Sequence, residues 1–242
     1  MFPLSAAAFQ LDGANILLLD VVAFIFFIIT WSGYATYARI HYTRRPNLMF
    51  TMDQMRIKWM QQILKRESRV ADASLVGNLL RSISFFANTS IFILIGLFTI
   101  LGYRDSAIEM LNQLPYAVQA TPFMWEAKTF TLAMIFIYTF FKFTWSLRQY
   151  NYCCILVGAA PMPDQCPEIH ARFAEHAGQL SANAGKHFNM AMRGYYFGLA
   201  TISWFLHPLL FIASTALVIY ITYRREFRSA TLNSLAGLNE GY

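Results

Sequence analysis

Apolar positions in this chain fall into four long runs, about 15–37, 79–103, 129–157 and 195–223. Each reaches or exceeds the roughly 20 residues that a helix needs to cross the hydrocarbon of a bilayer. The pattern predicts an all-α fold, a polytopic integral membrane helical bundle. It has about four transmembrane helices plus amphipathic surface helices, in one membrane domain over 1–242. Trp31, Tyr34 and Tyr37 close the first run with the aromatic residues that favour a membrane interface. Pro208 lies near the middle of the last run and predicts a kink there. The third region is longer than a perpendicular crossing needs. Either it continues past the membrane from about Arg148, or neighbours bury its polar half.

Polar stretches separate the runs. Residues 39–72 carry eight Lys or Arg. Within them Thr51-Met52-Asp53-Gln54 fits a capping box. The helix it would start, about 51–70, puts Met52, Met55, Trp59 and Ile63 on one face. That face suits a helix lying on the membrane surface or one packed on the bundle. Ser106-Ala107-Ile108-Glu109 is a second capping-box candidate, and Pro115 and Pro122 predict irregular chain. Pro167 can open a surface helix over about 167–190, where Ile169, Phe173, Ala177, Leu180, Ala184 and Phe188 recur at helical intervals. Gly194 and Gly198 have the spacing of close helix contact, within a chain or between chains.

Composition strengthens the membrane reading. Hydrophobic residues make up 57% of the chain and charged ones only 13%, where soluble domains carry about a quarter. The N-terminus lacks a basic n-region and a cleavage motif, so the first run is expected to stay as a helix. The formal charge of +6 sits beside apolar runs, which points to topology and lipid contact and away from nucleic acid. Four spans put both termini on one side. The basic 39–72 stretch then favours a bacterial inner membrane with both termini periplasmic, although Arg224, Arg225 and Arg228 in the tail pull the other way. Cys153, Cys154 and Cys166 lack CxxC spacing and are expected to be free thiols.

Candidate chemistry lies where polar residues interrupt the runs. Lys142 and Arg148 fall inside the third region, Asn78, Arg81 and Asn88 on one face of the second, and Asn189 and Arg193 just before the fourth. On the four-span topology they share a depth near the cytoplasmic face. Arg81, Lys142, Arg148 and Arg193 would hold an anion there, because a guanidinium fork matches phosphate or carboxylate bidentately. The ordinary alternative is that boundary cations snorkel to head groups, which explains Lys142 least well. Asn78, Asn88, Gln149 and Asn189 would orient the ligand, or hydrogen-bond between helices. Asp20, the acidic residue well inside a span, is placed near the opposite leaflet. No cofactor or metal is expected: His170, Glu175, His176 and His187 lack a ligand spacing. No P-loop, dinucleotide fingerprint or nucleophile elbow occurs, and no nucleophile–base arrangement supports an enzyme.

Four strings carry a family resemblance. They are Phe141-Lys142-Phe143-Thr144-Trp145-Ser146-Leu147-Arg148-Gln149-Tyr150-Asn151-Tyr152, His187-Phe188-Asn189-Met190-Ala191-Met192-Arg193-Gly194-Tyr195-Tyr196-Phe197, Trp204-Phe205-Leu206-His207-Pro208 and Tyr223-Arg224-Arg225-Glu226-Phe227-Arg228-Ser229. With Asn78 and Arg81 they resemble a bacterial and plant membrane family, domain of unknown function 599, over most of the chain. The resemblance implies an integral membrane protein with about four spans and no assigned activity.

Two functions fit. One is a non-enzymatic membrane protein with a cationic polar site near the cytoplasmic leaflet, which binds or passes an anionic lipid or small anionic solute. The other is a non-catalytic structural or assembly subunit of a larger membrane complex. The partners expected are membrane lipids and either further copies of the chain or a membrane-complex partner, with no nucleic acid.

Overall fold

The computed structural model describes residues 13–43, 47–113, 121–164 and 166–239. They form the helices α1 Gly13–Ile40, α2 Leu48–Ile63, α3 Val70–Gly102, α4 Arg104–Asn112, α5 Pro122–Gly158, α6 Pro167–Ile202, α7 Pro208–Phe227 and α8 Ala230–Asn239. A 3-10 turn, Ser203–Phe205, joins α6 to α7. Three of the helices, α1, α3 and α5, are long and apolar enough to cross a membrane. Their outer surfaces stay apolar: Leu18 and Ile29 of α1, Phe92 and Ile95 of α3 and Phe130 of α5 are all exposed. Three such helices give the chain the make-up of a membrane protein.

The fourth apolar run is not one kinked helix. His207 is extended, at φ −159° and ψ 137°, and Pro208 is the first residue of α7. A residue before proline is driven out of the helical region, and proline itself fits a first turn because that N–H needs no partner. His207 Nδ1 caps the new helix by accepting from the Leu209 N–H at 3.0 Å. The chain reverses here. Arg193 of α6 meets Glu226 of α7, and Ser203 meets Ser214, so α6 and α7 form an antiparallel hairpin.

The same logic orders the other helices. Asp20 of α1 meets Trp204, and Tyr34 meets Glu226, so α1 runs alongside α7 in the same direction. Lys128 of α5 reaches the Trp204 carbonyl, and Ser146 donates to the Ala184 carbonyl, so α5 is antiparallel to α6. Val76 of α3 shares a cluster with Val157 and Ala177, while Tyr195 donates to the Phe86 carbonyl, so α3 parallels α6. The chain therefore runs five times between two ends. The turn end holds 203–207, the start of α1 and the start of α5. The basic end holds α2, α8 and the end of α7. The outer ends of α1 and α7 lie at opposite ends, where four traverses would have put them together.

Helix starts also shift from expectation. Asn47, not Thr51, caps α2: its Oδ1 accepts from the Phe50 N–H at 2.7 Å, and Thr51 instead donates to the Asn47 carbonyl. The second box is not used, since α4 already begins at Arg104. Pro122 opens α5 behind a Thr121 cap, which lengthens the third helix by about two turns. Arg44, Arg45 and Pro115 lie outside the described residues.

Small residues bring α6 close to its neighbours. A Cβ on Gly194 would collide with Thr139, and one on Gly198 would lie 3.0 Å from the Phe136 ring. The glycine pair thus makes its close contact inside the chain, against α5. Gly178 serves α2, since a Cβ there would lie 2.7 Å from the Ile57 Cα. Nearer the turn end, Phe27, Ile135, Phe197, Trp204 and Phe211 form the core of α1, α5, α6 and α7. Towards the basic end, α3, α5 and α6 continue beyond the level of Glu226, and Met60 and Ile63 of α2 pack on Val76, Val157 and Ala174.

One ion pair is buried near the turn end. Lys128 Nζ lies 3.0 Å from Asp20 Oδ1, with both side chains under a tenth exposed. Trp204 Nε1 donates to the same carboxylate at 2.6 Å. This network ties α1, α5 and the α6–α7 turn together and gives Asp20 its partner.

Candidate functional site

A groove of about 560 Å³ opens between α2, α3, α6 and α7. Its floor is α6, through Gly185, Phe188, Asn189, Met192, Arg193 and Tyr196. Leu79, Ser82 and Ile83 of α3 form one wall, and Thr222, Arg225 and Glu226 of α7 the other. Leu48, Met49, Met52 and Arg56 of α2 close it at the basic end. α3 packs chiefly on α5, which leaves the space between α3 and α7 open.

Three arginines from three helices converge here. Arg193 sits under the rim, its side chain 14% exposed, with Nη2 at 3.0 and 2.9 Å from the two Glu226 carboxylate oxygens. Tyr34 of α1 donates to Glu226 Oε2 at 2.6 Å, and the Arg193 guanidinium covers the Tyr34 ring at 5.1 Å. Arg225, in the last turn of α7, donates to the Tyr196 hydroxyl at 3.2 Å. A cation also suits that position because the helix dipole is negative there. Arg56 donates to Asp53 at 2.8 Å, and its guanidinium fills the space above Gly185, where a Cβ would lie 2.6 Å from Nη2.

Asp53 is shared. Lys186 approaches it at 3.8 Å, and the Tyr42 hydroxyl donates to it. Burial, then the hydrogen bond and charge of Asp53, push the Tyr42 phenol above the usual tyrosine range. Four cations (Arg56, Lys186, Arg193 and Arg225) thus face two carboxylates (Asp53 and Glu226), an excess of two positive charges. The site offers guanidinium forks, an amide, a serine hydroxyl and phenols beside methionines and leucines. Guanidinium forks are the groups that can take carboxylate or phosphate oxygens in pairs.

Of the eight residues expected at the site, Asn189 and Arg193 line this groove. Asn78, Arg81 and Asn88 do not: they lie exposed on the outer face of α3, where Arg81 donates to Asn78. Arg148 is exposed on α5, and Gln149 is buried with its Oε1 lacking a hydrogen-bond partner. Lys142 is half-buried, with Nζ 5.5 Å from the centre of the Tyr138 ring. It lies one turn along α5 from Tyr138 and Thr139, which pack against Gly194.

Arg56, Arg225 and Glu226 were missed as site residues. Glu226 had a visible signal, a lone acid between Arg225 and Arg228 at the end of an apolar run. Reading the run as one span hid it, because that places residue 226 on the side opposite Arg193. Arg56 was hidden among seven other basic residues of 39–72, and only the Gly185 gap marks its direction.

No curated protein and no solved structure matches the chain. A family model does match, over residues 22–231, and its family is described as protein of unknown function, DUF599. That match spans most of the 242 residues, so the chain belongs to the DUF599 family.

Proposed function

We propose that this is a multi-pass inner-membrane protein whose α2–α3–α6–α7 groove binds an anionic ligand at the cytoplasmic leaflet. The single observation behind the reading is the convergence of Arg56, Arg193 and Arg225 on one groove with two carboxylates to balance them and Lys186. Arg225, bonded to a neutral phenol, keeps most of its donors for a ligand. In this reading Lys142 adds to the local positive field, and Asn189 offers an amide to the bound group.

In this reading α6 and α7 cross the membrane alongside the three apolar helices, which makes five crossings. The start of α1 is then periplasmic, and the basic end is cytoplasmic. The distribution of charge supports that orientation. Among the described residues only Arg104 and Lys128 are basic at the turn end, and Asp20, Asp105, Glu109 and Glu126 share it. Cytoplasmic segments concentrate Lys and Arg, so the basic tail no longer opposes the topology.

The test is equilibrium binding to the purified protein in mild detergent, read by native mass spectrometry. Phosphatidylglycerol and glycerol phosphate serve as anions, with phosphatidylcholine as the zwitterionic control. Loss of one charge-assisted hydrogen bond removes about 1.5–3 kcal/mol. Arg225→Gln is therefore expected to weaken anion binding at least tenfold and leave phosphatidylcholine unaffected. Equal anion binding by Arg225→Gln and Arg56→Gln would overturn the reading.

A further inference from the structure

The groove does not end at its cations. Below Arg225, towards the turn end, α6 presents Tyr196, Leu199 and Ile202 at helical spacing, and Leu199 and Ile202 are exposed. Leu217 and Ile221 follow the same face of α7 away from Arg225 and are exposed too. The strip starts where the Arg225 side chain lies on the Tyr196 ring, at 5.9 Å. On the other side of the cations, Leu48, Met49 and Met52 of α2 line the groove.

We propose that the ligand is an anionic glycerophospholipid of the basic-end leaflet. Its phosphate lies among Arg56, Arg193 and Arg225, and one acyl chain runs along Leu199, Ile202, Leu217 and Ile221. This deepens the groove reading and rests on it. Charge complementarity selects the headgroup, because guanidinium forks take phosphate oxygens in pairs. The apolar strip selects an amphiphile over a free anion, since water-soluble phosphate leaves it without a partner. The cations lie at the start of the strip, which suits a lipid oriented with its headgroup towards the basic end.

The test uses phosphatidylglycerol carrying a photoreactive diazirine on its acyl chain, in phosphatidylcholine nanodiscs holding the full-length protein. Peptide mapping after illumination reads where the chain lies, and binding of glycerol phosphate is measured alongside. Labelling is expected to concentrate on 196–202 and 217–221, and to fall at least fivefold in Arg225→Gln. The charge-preserving Arg225→Lys keeps most of it, which separates loss of charge from misfolding. Even labelling of every exposed apolar helix face, with glycerol phosphate still bound and sensitive to Arg225→Gln, overturns the lipid and leaves the groove as a soluble-anion site. Labelling and glycerol phosphate binding that both ignore Arg225→Gln overturn the groove reading as well.

Discussion

Glu226 holds Arg193 across the α6–α7 hairpin: one guanidinium nitrogen lies 2.9 and 3.0 Å from its two carboxylate oxygens. The residues are 33 apart in sequence, yet this contact sets both the fold of the last third of the chain and the charge of the groove. It is sheltered on both sides, the two side chains being 14% and 12% exposed.

Glu226→Gln separates those two roles. Removing one partner of a buried pair costs about 3 kcal/mol, because the remaining charge stays uncompensated. For a chain of this size that lowers the thermal midpoint by about 6–12 °C. Arg193 is then free for a ligand, so anion binding is expected to tighten as stability falls. Arg193→Gln is expected to lose both. Native mass spectrometry and thermal unfolding in one detergent read the pair, and equal anion affinity in the two variants contradicts the assignment.

The topology can be read in cells. A reporter that works only in the periplasm is expected to be active at the N-terminus and silent at the C-terminus, and a cytoplasmic reporter to give the reverse. Both termini on the same side would mean that the chain does not reverse in the membrane at 203–207.

The Lys128–Asp20 pair should behave as a structural pin. Lys128→Ala leaves the buried Asp20 carboxylate with the Trp204 indole N–H but without its cation, and is expected to cost about 3–5 kcal/mol. A double variant, Asp20→Leu with Lys128→Met, is expected to recover much of that loss, because an apolar pair of similar volume replaces two desolvated charges. Thermal unfolding of the single and double variants checks it. Additive losses would show that the pair is not coupled.

The helices were legible in the sequence to different depths. The runs that became α1, α3 and α5 were long and apolar enough to be read directly, because a bilayer leaves few alternatives to a helix. The helix start at Pro167 was legible too, since the apolar residues after it keep a helical interval, but the helix does not stop near 190: it runs on to Ile202 as one piece with the start of the fourth apolar run. The reversal was not. Trp204, Phe205 and Leu206 keep the run apolar through the turn, so hydropathy passes over it, while proline alone predicts a kink as readily as a break. Sequence order of His207-Pro208 carries the answer only when the imidazole is seen to cap α7.

The candidate site was legible in kind more than in detail. Excess positive charge near one face was visible, and Arg193 with Asn189 proved to be groove residues. Arg81 and Arg148 share helices with groove residues but point elsewhere. A helix turns 100° per residue, so common depth does not give a common direction. Reading 195–223 as one continuous helix sets Glu226 far from Arg193, whereas the turn at 203–207 brings them together and gives the cluster a carboxylate.

What fills the groove in the membrane is the most direct question. A photoreactive phenylalanine analogue in place of Met192, on the groove floor, can be illuminated in intact cells and its adducts weighed. The expected product is a phosphorus-containing lipid adduct that fades when Arg225→Gln is added. A stoichiometric adduct with another polypeptide and no lipid would contradict it, and would make the groove the seat of a subunit in a larger assembly.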